Sequence, residues 1–302
     1  MPNSIPDRQN RPGFIDLLAA SSRSYEIVKC TSTWQSALAI IMAILGPAVA
    51  FAYPDAKGWV ALFAGAVLLA DLLYFEPRVK QHQELGAKVQ EVFDTDLFDL
   101  PWNSHRVHSR PDPEEINSLA ESFKKRNSTD RLLDWYPPAV GSIPLEYGRL
   151  VCQRANMRWD MALRRSFGGL FVTLTTLLVL VVCGVALAMQ WDATQIAVSL
   201  VLPVLPAAIK LLRESRKHFE SAAISERTKQ QLEAIWQVAL QGGMSSTQLL
   251  EDSRRLQDEL YDRRKGSPPV PQWLYLWLKP DYERDMQVAT AAMIKQFQTS
   301  IA

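Results

Sequence analysis

The chain of 302 residues carries 33 lysines and arginines against 32 aspartates and glutamates. That balance leaves no basic excess of the kind nucleic-acid binding needs, and no acidic excess either. A mean hydropathy of -0.07 is that of a soluble protein, but the average hides a segregation, with charge missing from a few long windows and crowded into the rest.

In chain order, a polar N-terminal arm, residues 1–33, comes first and lacks the small-residue cleavage pattern of a signal peptide. Trp34 to Tyr53 (WQSALAIIMAILGPAVAFAY) then holds no formal charge, and it has the length of helix that crosses ~30 Å of hydrocarbon at ~1.5 Å per residue. After the turn Pro54-Asp55-Ala56-Lys57, Gly58 to Phe75 (GWVALFAGAVLLADLLYF) carries a single charge, Asp71. The two windows, 34–53 and 58–75, make one expected hairpin, residues 34–75. Ser166 to Trp191 and Ala193 to Ile209, separated by Asp192, make a second, residues 166–209 (166–191 and 193–209). None shows the polar stripe at helical spacing that a buried helix of a soluble core keeps. The sequence therefore predicts an all-α membrane protein with four transmembrane helices in two hairpins.

The short connections within the hairpins hold one basic residue, Lys57, whereas the other flanks hold Lys29, Arg78, Lys80, Arg164, Arg165, Lys210, Arg213, Arg216 and Lys217. By the positive-inside bias both termini are cytosolic, and residues 76–165 and the tail 210–302 form a helical cytosolic domain. Cys30 and Cys152 fall on that reducing side and Cys183 in the third span, so structural disulfides are not expected.

The second span is expected to run on through PRVKQHQELGAKVQEVF. Asp112-Pro113-Glu114-Glu115 opens a helix with a capping Asp, a Pro at the first position and acids in the first turn. Pro144 opens LEYGRLVCQRANMRWDMALRR, which continues into the third span, and the fourth span runs on to Gly242-Gly243. Ser245 or Ser246 caps TQLLEDSRRLQDELYDRRK, which stops at Gly266-Ser267-Pro268-Pro269, and a last helix covers DYERDMQVATAAMIKQFQTS. WLYLWL is the one strand candidate.

Motifs for chemistry are sparse: there is no Gly-rich phosphate loop, nucleophile elbow, paired-Cys motif or HExxH. His105 and His108 sit three apart, but Pro101, Pro111 and Pro113 favour a loop and no third ligand follows, so no metal site is predicted. Asp94, Asp96 and Asp99 lack the glycine and terminal Glu of a calcium loop, and are read as solvated or capping acids around Phe93, Phe98 and Trp102. Asp71 has two readings, a boundary residue reaching the interface or a pore-facing carboxylate. Pro203 and Pro206 remove backbone donors inside the fourth span, and Gly46-Pro47 does so in the first, serving either packing or a gating hinge. Arg154, Arg158 and Arg165 fall within ~40° of one another at 100° per residue, one basic face on the helix that enters the membrane. That face suits anionic lipid or phosphate groups gripped by guanidinium, with Trp135, Tyr136 or Trp159 available to stack a base.

Three stretches, IPDRQNRPGFIDLLAASSRSYEIVK, VQEVFDTDLFDLPWN and LLDWYPPAVGSIPLEYGRLVCQRANMRWDMALRR, together with the order hairpin, middle segment, hairpin and tail, resemble the bacterial SMODS-associated four-transmembrane effectors. The resemblance makes Asp94, Trp102, Trp135, Tyr136, Gln153, Arg154 and Asn156 signature positions and brings no catalytic residue. It implies a pore-forming effector of cyclic-oligonucleotide anti-phage signalling (CBASS). There a nucleotidyltransferase makes a cyclic di- or trinucleotide on infection, and the effector permeabilises the inner membrane in abortive infection. The activating nucleotide is the one ligand implied, with no cofactor. Four spans are few for a pore within one chain, so a homo-oligomer in the lipid bilayer is expected. Two other readings stand beside it, a membrane scaffold without pore activity and a membrane-bound enzyme using the Asp94/Asp96/Asp99 and His105/His108 region.

Overall fold

The computed structural model describes residues 3–189, 192–196 and 202–301, and among them there are helices and turns but no strand. The helices are α1 (Ile5–Gln9), α2 (Pro12–Ala52), α3 (Lys57–Ala70), a π-helical turn (Asp71–Phe75), α4 (Glu76–Phe98), α5 (Ser104–Val107), α6 (Pro113–Lys124), α7 (Leu145–Met189), α8 (Ala193–Ile196), α9 (Leu202–Leu240), α10 (Ser246–Gly266) and α11 (Gln272–Ser300).

Local chemistry sets the boundaries. Pro12, whose missing N–H costs nothing at a first turn, opens α2, which then runs unbroken past Trp34 and Gly46-Pro47 to Ala52. The expected boundary at residue 33 is thus not a break in the backbone. Of the two candidate serines, Ser245 caps α10: its hydroxyl accepts from the Gln248 N–H, and the Gln248 side chain accepts from the Ser245 N–H. α9 ends at Leu240, and Gly242 takes a φ of +75°, which only a residue without Cβ adopts freely.

The strand expectation for WLYLWL is corrected. Those residues form the first two turns of α11, which starts at Gln272 rather than Asp281 and carries Pro280 inside it. Leu274 and Leu278, four apart, pack with Leu163, Phe167, Leu170 and Phe171 of α7. A neighbouring helix therefore selects the 3.6-residue period for a run too short to choose by itself.

Two stretches among the described residues are long and apolar enough to cross a membrane, within Gly58–Phe98 and Leu145–Ala188; 0% and 6% of their apolar windows are buried in the protein. A core helix of a soluble protein hides such a surface, whereas here Trp59 is 74% and Leu187 81% exposed. The end of the expected third span, residues 190 and 191, and the middle of the fourth, residues 197–201, lie outside the described residues.

In the polar part of the chain, α2 packs on α4 and α6, α7 on α9, and α10 across α4 and α7. Trp236, Tyr136, Phe93, Phe98 and Phe123 are among the largest side chains fully buried there. The N-terminal arm belongs to this core. Asn3 Nδ2 donates to the carbonyls of Val140 and Ile143 at 2.8 Å each. The Gln9 side chain exchanges two hydrogen bonds of 2.9 Å with the backbone of Tyr136.

Candidate ligand cleft

Two acids of the stretch that closes α4 are internal. Glu91 and Asp94, three apart on α4, turn toward α10, where Arg254, Gln257 and Arg264 recur at helical spacing. Asp94 Oδ1 accepts from the Tyr136 hydroxyl at 2.7 Å, and Oδ2 accepts from Gln257 Nε2 at 3.0 Å and from Arg264 at 2.6 Å. Glu91 accepts from Gln257 Nε2 at 2.9 Å and from Arg254. Both carboxylates are fully buried, which corrects the expectation of a solvated or capping acid for Asp94. Burial pushes the Glu91 carboxyl up, with the Arg254 charge opposing. Burial would lower Arg264, but the Asp94 carboxylate outweighs it and holds the guanidinium above its ordinary value.

The remaining members diverge. Asp96 pairs with Arg110 at 2.7 Å and Asp99 with Arg8 at 2.9 Å, while His105 and His108 are exposed. The three aspartates face three ways, and among the described residues no group of His, Cys, Asp and Glu is placed to hold a metal ion. Tyr136 is 1% exposed, its ring packed with Phe93 and Phe98. Its hydroxyl also accepts from Asn156 at 2.7 Å. Trp135 is partly buried against the same core. Neither aromatic is presented beside the arginines.

Those arginines stand elsewhere. Val151, Arg154, Ala155, Arg158, Trp159 and Ala162 of α7 face Tyr282, Asp285, Met286, Ala289, Thr290 and Met293 of α11 across a narrow cleft with about 20 Å³ of free space. Both walls repeat the same spacing, three residues then one, which is the stripe a helix turns to a neighbour. The alanines are what leave room between the two stripes.

The polar groups of the cleft are unequal. Arg154 is anchored, its Nε and Nη2 each 2.8 Å from Glu233 of α9. Arg158 is exposed and has no ion-pair partner among the described residues. Trp159 meets Tyr282 edge to face, ring centroids 5.4 Å apart. Arg165, predicted on the same basic face, does not line the cleft and pairs with Glu226 of α9 at 2.8 Å. The cleft thus combines one held guanidinium, one available guanidinium, the Asp285 carboxylate, an aromatic pair and an apolar floor, so that two cations stand against one acid beside a flat ring. Sequence reasoning missed the α11 wall, although its stripe from Tyr282 to Met293 was readable once the helix was recognised.

The predicted gating residues lie away from this cleft. Asp71 is the first residue of the π-helical turn, and its Oδ1 is buried without a hydrogen-bond partner. Pro203 and Pro206 fall in the first turns of α9 as described.

The model of the SMODS-associating 4TM effector domain matches residues 3–293 of this chain. A probable CBASS effector molecule of Bacillus cereus strain VD146 is 24% identical over 295 residues, an overlap spanning 93% of this chain and 96% of that protein. No solved structure matches.

Proposed function

We propose a membrane effector of CBASS signalling, because this chain belongs to the SMODS-associating 4TM effector domain family and its Bacillus cereus relative is named as a probable CBASS effector. In this reading the spans 34–53, 58–75, 166–191 and 193–209 cross the bacterial inner membrane, and both termini with residues 76–165 and 210–302 form the cytosolic domain. The unburied apolar windows of Gly58–Phe98 and Leu145–Ala188 support it, as do the basic flanks.

The activating ligand is a cyclic di- or trinucleotide made by a partner nucleotidyltransferase. It seats in the α7–α11 cleft, with Arg158 and Arg154 toward its phosphates and the Trp159–Tyr282 pair toward a base. One observation carries this reading: α7 is a single helix from Leu145 to Met189, so the cleft residues and an apolar window share one continuous backbone. A shift of α7 at the cleft is therefore carried into the bilayer, in the manner of helices moved as rigid bodies. Chains then assemble, with ligand bridging protomers, and the oligomer permeabilises the membrane and stops growth of the infected cell.

The test is dye leakage from liposomes holding the full chain, across a panel of cyclic di- and trinucleotides. Leakage set off by one nucleotide and lost in Arg158→Ala is the expected result. Leakage indifferent to every nucleotide refutes the sensing step, and binding without leakage favours the scaffold reading.

A further inference from the structure

The segment WLYLWL takes no part in the cleft, yet its placement is specific. Leu274, 4% exposed, and Leu278 turn onto Leu163, Phe167, Leu170 and Phe171 of α7. At these residues α7 passes from Arg164 and Arg165 into its apolar window. Trp273 and Trp277, four apart and so on one face, are 58% and 71% exposed. No charge occurs from Gln272 to Leu278, and Lys279, Asp281, Glu283, Arg284 and Asp285 follow directly.

We propose that Gln272–Leu278 is an interfacial membrane anchor, with the first two turns of α11 seated at the headgroup level and Trp273 and Trp277 in contact with lipid. The inference rests on the reading that α7 spans the bilayer. Tryptophan joins a large apolar body to one N–H donor, the combination that collects at the boundary between hydrocarbon and water. The occupant is lipid because this face continues the exposed apolar surface of α7 at the depth where its basic residues end. Isolated apolar side chains are ordinary on a soluble surface, but an exposed tryptophan pair on the turns whose leucines pack at the start of a membrane-length apolar window is not.

The anchor also gives the cleft a second route to the bilayer. Tyr282, one turn beyond Leu278, packs against the same apolar cluster and meets Trp159 in the cleft. Pro280 lies between the two halves of α11, where the missing N–H loosens the helix. A ligand that parts the two cleft walls therefore pulls on the anchor as well as on α7.

Spin labels test this, placed singly through Trp273→Cys, Trp277→Cys, Leu177→Cys and Val288→Cys in the full chain with Cys30→Ser and Cys183→Ser, reconstituted in liposomes. The remaining Cys152 is fully buried, Leu177 marks the apolar window of α7, and Val288 is an exposed site on the far half of α11. The readout is collision with oxygen against collision with a polar nickel chelate. The expected result is an oxygen-to-chelate ratio at 273 and 277 several-fold above that at 288 and approaching that at 177. Chelate access at 273 and 277 equal to that at 288, with 177 still oxygen-rich, overturns the anchor and leaves the span standing. Chelate access at 177 as well removes the span and the anchor with it. Protection of 273 and 277 from both reagents overturns lipid contact in favour of a second copy of the chain.

Discussion

Asp94 and Arg264 meet at 2.6 Å with side chains 0% and 9% exposed, an ion pair closed to water that joins α4 to α10. The same carboxylate accepts from Tyr136 and Gln257, so both of its oxygens have partners, whereas Arg264 Nη2 is buried without one. Arg264→Ala leaves that carboxylate buried without its cation, and is expected to cost about 3–5 kcal/mol. Arg284→Ala removes one side of a pair whose members are 72% and 69% exposed, where the expected cost is about 0–1 kcal/mol. Thermal unfolding of the solubilised protein compares the two; equal midpoints would show that the α4–α10 network does not hold the domain.

A second expectation concerns acid. Burial against Phe167 and Phe171 holds His218 neutral, its pKa lowered from 6.5 to about 3; the charges of Arg164 and Lys217 lower it further, and Asp160 opposes them. The unfolded chain takes up a proton in this window and the folded chain does not. Stability is therefore full above pH 6.5 and falls as the pH drops toward 3. At 1.36 kcal/mol per unit, the loss between pH 7.5 and pH 5 is about 2 kcal/mol. His218→Phe keeps the aromatic packing and should flatten unfolding midpoints across that range. Asp160 does not confuse the result. Burial raises its carboxyl, but Arg164 and Arg263 outweigh this and hold it at about 2 against the ordinary 3.8, so its contribution is present above 3.8 and fails only as the pH falls through that lower window. An unchanged slope in His218→Phe would remove the histidine from the account.

These two sites show where the sequence was readable and where it was not. The apolar windows within Gly58–Phe98 and Leu145–Ala188 were readable because absent charge is a local property, and Ser245 and Gly242 marked helix ends for the same reason. Arg154, Arg158 and Arg165 were legible as one helical face, of which only the first two line the cleft. Asp94 was misread because its partner Arg264 lies 170 residues away, and an acid with no visible partner reads as solvated. Tyr136 and Trp135 were grouped with the arginines by nearness in sequence, whereas the fold sends them to the core with Phe93 and Phe98. WLYLWL was ambiguous for a third reason, since a short apolar run takes its period from whatever it packs against.

The cleft separates two arginines that the sequence treats alike. Arg158→Ala removes an exposed guanidinium from the cleft wall and should weaken binding of the proposed cyclic nucleotide by about 10–100-fold, the worth of one or two hydrogen bonds to a charged group. Arg165→Ala breaks a pair with Glu226 outside the cleft and should change affinity less than about twofold, an exposed pair being worth little. Titration calorimetry on the full chain reads both, and equal losses in the two variants would place the ligand elsewhere.

Gly148 explains how the N-terminal arm is held. A Cβ there would lie 2.7 Å from Asn3 Nδ2 and 3.4 Å from Ile5 Cδ1. The Asn3 side chain is not free to swing aside, because its amide donates to Val140 and Ile143 while its Oδ1 accepts from the Ile5 N–H at 3.0 Å. Gly148→Ala therefore strips carbonyl partners at about 1–3 kcal/mol each, against a helix-propensity gain of about 1 kcal/mol for alanine over glycine. The net effect is local: the arm detaches before the core opens, so amide hydrogen exchange over residues 3–10 should quicken by at least about tenfold. Gly13→Ala is the contrast, since nothing lies within 4 Å of its Cβ, and it should leave exchange unchanged or slower. Equal exchange in both variants would mean that the Asn3 clasp is not what fastens the arm, leaving that task to the paired hydrogen bonds of Gln9 and Tyr136.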